Sequence, residues 1–332
     1  MSQGISIRQI EKHDLLGESL KAFLAFFKTM NLETYPEEKP WSDNQITDII
    51  KQSSDKMFRV CALDGDKMVA YSSLDWSLCK PGFGRSFINV LPDYRRQGLG
   101  SDIFSQVLGH TRNIGLSKLI CQTHHQSGEE FMTSRGGKIV AKESTRTLLM
   151  TSVDWSLVDN WIAIGKIRNP SLKLIFSRHV DDSMIPGLAT VSLEIERDLM
   201  SLNANQIDIS YEFEVEEWKR RQAEATSPNQ SRIFLFVHDG CGEIVGYSNV
   251  SIQNSDPTFA RQGMTAVKKD CRGAGIGKLL KAAMLRFIKD NHPEIVKVST
   301  GNNDLNAPIV AINEKLGFTK GVCWTNFELE VS

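Results

Sequence analysis

Apolar and polar residues follow two periods along the first half of the chain, one typical of strands and one of helices. Alternation over residues 5–10 predicts a strand, and helical spacing over 15–30 predicts a helix. Ser42 suits the N-cap of a helix that runs to about Lys51. Two apolar runs flank Asp64-Gly65-Asp66, which predicts a β-hairpin. The further predictions for this half are a strand over 86–91, a helix over 102–110, a strand over 118–124, a short helix over 128–134 and strands from 138 to 150.

The second half repeats this order of elements after a joining segment over 151–171. The predictions here are a strand over 172–177, a helix over 181–200, a polar acidic region over 201–231, strands over 232–238, 243–252 and 264–268, a helix over 278–287, a strand over 295–300, a helix over 306–315 and closing strands to Val331. The order β-α-α-β-β-β-α-β-α-β thus occurs twice. It predicts two domains, 1–152 and 153–332, each an α+β fold with a mixed α/β sheet and helices on both faces.

A glycine-rich turn occurs once in each half, between a predicted strand and a predicted helix. The copies are Arg95-Arg96-Gln97-Gly98-Leu99-Gly100 and, 177 positions later, Arg272-Gly273-Ala274-Gly275-Ile276-Gly277. Such a turn leaves the first backbone N–H groups of the helix unpaired at the positive end of the helix dipole. Each copy therefore predicts an anion site suited to phosphate, and together they predict a duplicated nucleotide- or cofactor-binding domain.

Composition and charge exclude several classes of protein. The net charge of −1 over 332 residues, with no long basic run, does not indicate a nucleic-acid binder. The apolar runs are far shorter than the roughly 20 residues of a membrane span, and the first residues show no signal-peptide pattern. The six cysteines lack C-x-x-C spacing, and His124-His125 is not a metal pair because neighbours on a strand point to opposite faces. We expect a cytoplasmic protein with reduced thiols and no metal.

Two other glycine motifs bind nucleotides, and the second copy departs from both. A P-loop needs Gly where Arg272 stands and Ser or Thr where Leu279 stands. The turn is also one residue short of the dinucleotide-binding pattern G-x-G-x-x-G, although Glu294 lies roughly where a ribose-binding acid is expected. That pattern normally follows the first strand of its domain, whereas a hairpin precedes the turn here.

The two turns resemble the signature of the GNAT superfamily of N-acetyltransferases, Arg/Gln-x-x-Gly-x-Gly/Ala between the fourth strand and the third helix. Residues 90–100 and 267–277 match it. Residues 306–318 resemble the later motif of the family, in which a short helix flanks the pantetheine arm of acetyl-CoA. The resemblance covers nearly the whole chain. It is to the tandem type, with two GNAT domains in one chain, to which mycothiol synthases belong.

The resemblance implies acetyl-CoA as cosubstrate. Backbone N–H groups of the turns would bind its pyrophosphate, Arg95 and Arg272 would add charge, and the main chain around Val267 would pair with the pantetheine arm, of which Asn306 would hold an amide. The implied cofactor-binding residues are Val267, Arg272, Gly273, Ala274, Gly275, Ile276, Gly277, Lys278 and Asn306 in the second half, and Val90, Arg95, Arg96, Gln97, Gly98, Leu99 and Gly100 in the first.

Acetyl transfer to an amine needs a base, because an amine with a pKa of about 10.4 is almost fully protonated at pH 7. The family often uses a glutamate on the fourth strand, but Gln262 and Arg85 occupy the matching positions. The expected alternatives are Glu212 and Tyr211, in the acidic region that should border the substrate entrance. The neighbouring acids are expected instead in the first turn of a helix that continues to Ala225, a place that favours negative charge: Glu214, Glu216 and Glu217.

Protonation of the leaving thiolate is the usual task of a tyrosine in the last helix of the family. Asn313 holds that position in the second half, where its amide would donate a hydrogen bond to sulfur, and Met132 holds it in the first. His125 likewise replaces Asn306, and Gly137 replaces Phe318. The first domain is therefore predicted to be degenerate and the second to be catalytic.

These features predict an acetyl-CoA-dependent N-acetyltransferase in which the acceptor amine attacks the thioester directly. The acceptor is expected to be a small-molecule amine or a peptide amine, with no nucleic-acid or membrane partner. The alternative is a non-catalytic acyl-CoA-binding regulatory or scaffold protein, which the absent tyrosine and the absent strand glutamate leave open. The sequence does not determine the acceptor, the preferred acyl chain or the oligomeric state.

Overall fold

The chain divides into two compact units that do not coincide with the two halves of the sequence. The computed structural model describes residues 4–36, 40–54, 56–77, 82–202, 211–225 and 230–331. The first unit is Met1–Ala141 with Trp324–Ser332, and the second is Lys142–Cys323. The predicted domains 1–152 and 153–332 follow the repeat, whereas each compact unit includes strand residues from the other half. Parts of the predicted acidic region, 203–210 and 226–229, lie outside the described residues.

The first half of the chain forms a sheet with helices packed against it. Its elements are β1 (Ile5–Gln9), α1 (Lys12–Leu16), α2 (Leu20–Thr34), α3 (Asp43–Gln52), β2 (Met57–Asp64), β3 (Lys67–Asp75), β4 (Phe83–Val90), α4 (Leu99–Asn113), β5 (Lys118–Thr123), α5 (Gln126–Thr133) and β6 (Lys138–Leu149). The strand order is β1-β2-β3-β4-β5. Only the pair β4–β5 is parallel. Helix α2 packs on β3 through an edge-to-face contact between Phe23 and Tyr71, at 5.1 Å between ring centroids.

Two predictions that depend on short local patterns, the Ser42 cap and the β-hairpin, agree with the structure. Ser42 forms the predicted cap, accepting from the backbone N–H of Gln45 while its own N–H donates to the Gln45 side chain. The predicted hairpin is confirmed, since β2 and β3 pair up to Asp64 and Lys67. The single helix predicted over 15–30 is wrong. Helix α1 ends at Leu16, before Gly17, and α2 begins at Leu20, after Ser19, whose side chain makes no capping hydrogen bond.

The second half builds a larger mixed sheet. Its elements are α6 (Trp155–Arg168), β7 (Lys173–Ser177), α7 (Ile185–Leu202), α8 (Tyr211–Ala225), β8 (Gln230–His238), β9 (Ile244–Gln253), β10 (Asp256–Val267), α9 (Ile276–Asn291), β11 (Lys297–Asn303), α10 (Ala307–Lys315) and β12 (Thr319–Glu330). The strand order is β6-β11-β10-β9-β8-β7, with only β10–β11 parallel. One core lies against α6, α9 and α10, and another lies against α7 and α8. The predicted α+β class is confirmed.

Helix α6 occupies the segment that was predicted only to join the domains, so that prediction is wrong. Asp154 caps it by accepting from the N–H groups of Ser156 and Leu157. The helix packs tightly on α9, where a Cβ on Gly165 would lie 2.9 Å from the side chain of Leu279. Its buried Val158 and Trp161 are spaced for a helix face, a periodicity that the interpretation as a linker overlooked. None of the helices among the described residues is long and apolar enough to cross a membrane.

Two strands connect the units to the other half of the sequence. Residues 325–330 of β12 pair antiparallel with β5 in the first unit. Residues 143–149 of β6 pair antiparallel with β11 in the second. Buried Arg146 on β6 forms an ion pair with Asp304, at 2.9 Å, immediately after β11. Each half of the sequence therefore completes its sheet with a strand segment from the other half.

Candidate active site

The two glycine-rich turns have the same backbone geometry. Gly98 and Gly275 precede α4 and α9 in the left-handed conformation, with φ of 85° and 88°. A Cβ atom on either glycine, or on Gly273, would meet no atom within 4 Å, so the main chain is open to a ligand. Leu99 and Ile276 bury their side chains in the cores, which leaves their backbone N–H groups for binding. Both turns fit an anion at a helix N-terminus.

The first turn carries a strain that the second lacks. Arg96 stands where the second turn has Gly273, and its φ of 62° makes it the one non-glycine residue with positive φ among the described residues. A left-handed conformation costs about 1–2 kcal/mol for a residue with a side chain. The side chain of Arg96 lies 3.5 Å from that of Glu130. Gln97 donates to the carbonyl oxygen of Asp93.

The signature arginines hold the turns in place. Arg95 and Arg272 donate from Nε to the carbonyl oxygens of Val90 and Val267, at 2.8 and 2.9 Å. Arg95 also makes a two-fold ion pair with Glu33 at the end of α2, with both distances 2.6 Å, and Arg272 pairs with Asp198 near the end of α7. Each guanidinium thus ties strand, turn and preceding helix together, and a carboxylate matches its charge.

Strand pairing leaves an opening beside each turn. Residues 259–261 of β10 pair with β11, and residues 83–86 of β4 pair with β5. Beyond these points the parallel ladders end, so the following part of each strand has one edge without a strand partner in the described residues. An extended ligand can add to such an edge as a further strand. The opening lies directly before the anion site, as the prediction for Val267 requires.

A β-bulge distinguishes the second site from the first. From the pair Gln262–Val250 to the pair Thr265–Ser248, β10 advances three residues while β9 advances two. The bulge contains Gly263, where a Cβ would lie 2.6 Å from the side chain of Asn249. The pairing of β3 with β4 proceeds one residue at a time from Ala70 to Asp75, without a bulge. A bulge redirects main-chain groups and is common beside active sites.

The spacing between the repeated hairpin and the repeated turn differs between the two halves, which comparison of the turns alone does not show. Val69-Ala70-Tyr71-Ser72 on β3 recurs as Val245-Gly246-Tyr247-Ser248 on β9, at an offset of 176. The turns recur at an offset of 177. The second half therefore has one more residue between hairpin and turn, within a stretch that contains this bulge and a further register shift between Asp256 and Ala260.

Helix α6 supports the second turn directly. The side chain of Asn169, which ends α6, donates to the carbonyl oxygen of Ala274 at 3.1 Å and to that of Gly165 at 2.9 Å. Lys278 places its ammonium 5.4 Å from the ring centroid of Trp161. Asn169 lay in the segment interpreted as a linker, so the sequence analysis did not consider it.

The later motif brings two asparagines together. Asn313 is fully buried on α10, and its amide nitrogen donates to the side-chain oxygen of Asn302 on β11 at 2.7 Å. The buried oxygen of Asn313 has no partner. Asn306 precedes α10, and its half-buried side chain does not cap the helix. In the first unit, the position that matches Asn313 holds Met132, which is also buried.

A buried polar chain lies between α9 and the bulged strand. The Lys281 ammonium donates to the side-chain oxygen of Gln262 at 2.9 Å, and the Gln262 amide donates to the Ser248 hydroxyl at 3.2 Å. Ser248 and the Thr265 hydroxyl lie 2.8 Å apart. Burial lowers the pKa of Lys281 to about 7. In the first unit Phe104 occupies the position of Lys281, so this series of hydrogen bonds from a buried lysine belongs to the second unit.

The buried amine predicts a pH-dependent stability. Because the unfolded Lys281 binds its proton up to about pH 10.4 and the folded one only to about pH 7, unfolding takes up a proton between these values. Relative to Lys281→Met, the native free energy of unfolding should rise with pH across this window, by up to about 1.4 kcal/mol per pH unit. Urea denaturation from pH 6 to 10 measures it, with Lys289→Met, an exposed lysine on α9, as control. A difference that does not vary with pH would contradict the assignment.

The two bases expected from the sequence lie on the solvent side of α8. Tyr211 is 38% exposed, and its hydroxyl lies 3.4 Å from the carbonyl oxygen of Pro186. Glu212 is also exposed. Glu214, interpreted from the sequence as a first-turn acid of this helix, is 3% exposed instead. It is the one buried carboxylate among the described residues, and burial raises its pKa to about 7.

In the first unit, charged and aromatic side chains occupy the region of the later motif. His125 lies 3.4 Å from Glu33, the partner of Arg95. The rings of His124 and His125 are 3.9 Å apart, and burial lowers the pKa of His124 to about 4. Across the part of the chain that is described, no cluster of three or more His, Cys, Asp or Glu residues could hold a metal ion.

Comparison with known proteins agrees with this geometry. The acetyltransferase (GNAT) family model matches residues 20–136 and 198–318. A tandem GNAT protein from the clavulanic acid biosynthesis pathway shares the fold over 99% of both chains, at 18% identity and a TM-score of 0.78. A GCN5-related N-acetyltransferase from Sphaerobacter thermophilus covers 100% of this chain and 97% of its own, at 13% identity and a TM-score of 0.64. Curated proteins give no significant sequence match.

The chain belongs to the acetyltransferase (GNAT) family and carries two copies of its domain. The family and the tandem arrangement predicted from the glycine-rich turns are thus confirmed. It is an enzyme of the N-acetyltransferase class. The acceptor and the roles of individual residues are matters for proposal.

Proposed function

We propose that the second unit transfers an acetyl group from acetyl-CoA to a primary amine, which attacks the thioester directly. The observation that carries the proposal is the bulged edge of β10, which leads straight into the open turn at Gly273 and Gly275. A small-molecule amine or a peptide amine is the acceptor.

The residues present fit acetyl-CoA. The backbone N–H groups from Gly273 to Gly277 would hold the pyrophosphate, with Arg272 fixing the turn and Lys278 beside it. The free edge of β10 would pair with the pantetheine arm, except at the carbonyl of Val267, which already accepts from Arg272. Asn306 would contact the same arm. The thioester supplies an activated acetyl group whose leaving group is a thiolate.

Asn313 is proposed to hold the sulfur side of the reaction. One hydrogen of its amide nitrogen is donated to Asn302, which fixes the orientation of the amide, and the second would be donated to the sulfur, because the unpartnered oxygen can only accept. An amide does not donate a proton at pH 7, so the thiolate is protonated by solvent.

The first unit is proposed to be a scaffold without turnover. It retains the turn and its arginine but lacks the bulge. Buried Phe104 and Met132 stand where the second unit has Lys281 and Asn313. Glu33 forms an ion pair with Arg95 and lies 3.4 Å from His125, whose pKa is lowered by burial.

The test is release of CoA thiol from acetyl-CoA in the presence of a polyamine, an amino sugar, an amino acid amide and an alanyl peptide. At least one amine should release CoA well above the rate without amine, with the acetylated amine formed in equal amount by mass spectrometry. If CoA release is the same with and without every amine, the result contradicts the proposed acetyl transfer and favours the non-catalytic acyl-CoA-binding alternative. The rate without enzyme at each pH is the control.

A further inference from the structure

A buried polar cluster lies on the face of the second sheet that α7 and α8 cover. The hydroxyl of Tyr247 on β9 lies 2.7 Å from that of Ser192 on α7, and the indole N–H of Trp218 donates to Ser192 at 2.9 Å. Tyr247 also donates to the sulfur of Met264, at 2.9 Å. Because Met264 belongs to the bulge, this cluster adjoins the segment that we assign to the reaction.

Glu214 lies close to the same cluster, and its charge acts on Tyr247. It lies one helical turn before Trp218, on the buried face of α8. Its carboxylate oxygen Oε2 is buried and accepts no hydrogen bond. Arg221 acts on Glu214 through its charge, but its ion pair is with Glu217, at 3.2 Å. A buried carboxylate oxygen without a donor is costly, and its retention points to a donor that arrives with a ligand.

We propose that Glu214 is the general base of this acetyl transfer, accepting the proton of the acceptor amine on the α8 side of the bulge. This inference rests on the proposed function. An ammonium group offers three N–H donors, which suits an unpartnered carboxylate oxygen. In the first unit the comparable unpartnered carboxylate oxygen belongs to Glu328, whose other oxygen pairs with Lys118 at 2.7 Å, so that acid is already neutralised.

The proton balance of the step is simple. The acceptor ammonium gives one proton to the Glu214 carboxylate, and the neutral nitrogen forms the N–C bond to the acetyl carbon. The C–S bond breaks with its electron pair on sulfur. The second nitrogen proton goes to solvent as the amide forms, solvent protonates the thiolate, and Glu214 returns its proton to solvent.

The charged surroundings place Glu214 in the range that such a base needs. Burial is the main cause that raises its pKa, to about 7, and Glu196 on α7 and Glu217 raise it further, whereas Arg221 lowers it. Tyr247 on β9 has a pKa raised to about 12 and stays neutral. A base with a pKa near the working pH is the most effective one.

The experiment compares Glu214→Gln with Glu216→Gln, an exposed acid on the same helix that pairs with Lys219 at 2.7 Å. The acceptors are the best strongly basic amine of the panel above and hydroxylamine, which is largely neutral at pH 7. With the basic amine, Glu214→Gln should lower kcat/KM about 100-fold or more and remove the acidic limb near pH 7 from the pH profile. With hydroxylamine the loss should be less than about tenfold, because the nucleophile needs no deprotonation before attack. Glu216→Gln should match the native protein.

Three outcomes overturn the inference. One is a Glu214→Gln enzyme within about threefold of native with the basic amine. Another is an equal loss with both acceptors, which indicates a structural role. The third is a pH profile of the native protein that shows no limb near pH 7. This measurement needs no variant, so it does not depend on whether a variant folds. Failure of the proposed function is seen separately, as no amine-dependent CoA release by the native protein. Calorimetric binding of acetyl-CoA checks that each variant is folded.

Discussion

Gly275→Glu is expected to abolish detectable acetyl-CoA binding, whereas Gly98→Glu is expected to leave it close to native. Gly275 has a φ of 88°, and its Cβ position points into open space above the turn. Glutamate there adds a backbone strain of about 1–2 kcal/mol and places a negative charge where the pyrophosphate would lie. Several anion–dipole contacts of about 0.3–1 kcal/mol each are lost with it. The expected weakening is at least about 100-fold, equivalent to about 2.7 kcal/mol.

Gly98→Glu is a closely matched control because Gly98 has nearly the same φ, 85°, at the start of the equivalent helix. Calorimetric titration of the native chain and both variants with acetyl-CoA measures the difference, after circular dichroism has shown that each is folded. Binding lost only in Gly98→Glu would reverse the assignment of the two units. Absence of binding by the native chain would favour a scaffold that keeps the fold without the chemistry.

A fragment of residues 153–332 is expected not to fold, although the repeat marks it as a complete domain. It lacks the β6 residues that pair with β11 over seven register positions, 143–149 with 297–303. It also lacks Arg146, the buried partner of Asp304, which would keep only its ion pair with Lys320. Its last residues, 325–330, would be left without the strand they pair with, β5.

A fragment of residues 142–323, nearly equal in length, is the matched comparison because it coincides with the second compact unit. We expect it to unfold cooperatively in urea, and the 153–332 fragment to be aggregated or to lack a cooperative transition. A cooperative transition of similar midpoint in both fragments would show that the exchanged strand segments contribute little to stability.

The predictable part of this site is the part controlled by single residues. The turns at Gly98 and Gly275 follow from the freedom of glycine at positive φ and from the helix that begins next. The change of offset between Tyr71–Tyr247 and the turns marks one additional residue in the second half, but the sequence does not place it in a bulge, because register depends on the strand partners.

Other features depend on contacts between distant segments. Glu214, Glu216 and Glu217 have the same local preference for a first helical turn, and only the packing of α8 on α7 and the sheet buries the first of them. Lys281 follows the periodicity of a core-facing position on α9, and Gln262, far from it in sequence, gives it a partner. Arg95 and Arg272 were expected to face phosphate, and acids at the ends of α2 and α7 engage them instead.

The sequence by itself determined the duplicated order of elements, the two anion-binding turns and the family, because turn chemistry, capping and hydrophobic periodicity act over a few residues. The tertiary structure alone decided which unit has a bulged, polar reaction region, which acid is buried, and which sheet each of the strands β6 and β12 completes. These choices depend on pairing register and burial, which arise only when segments that are separated in the sequence are brought into contact.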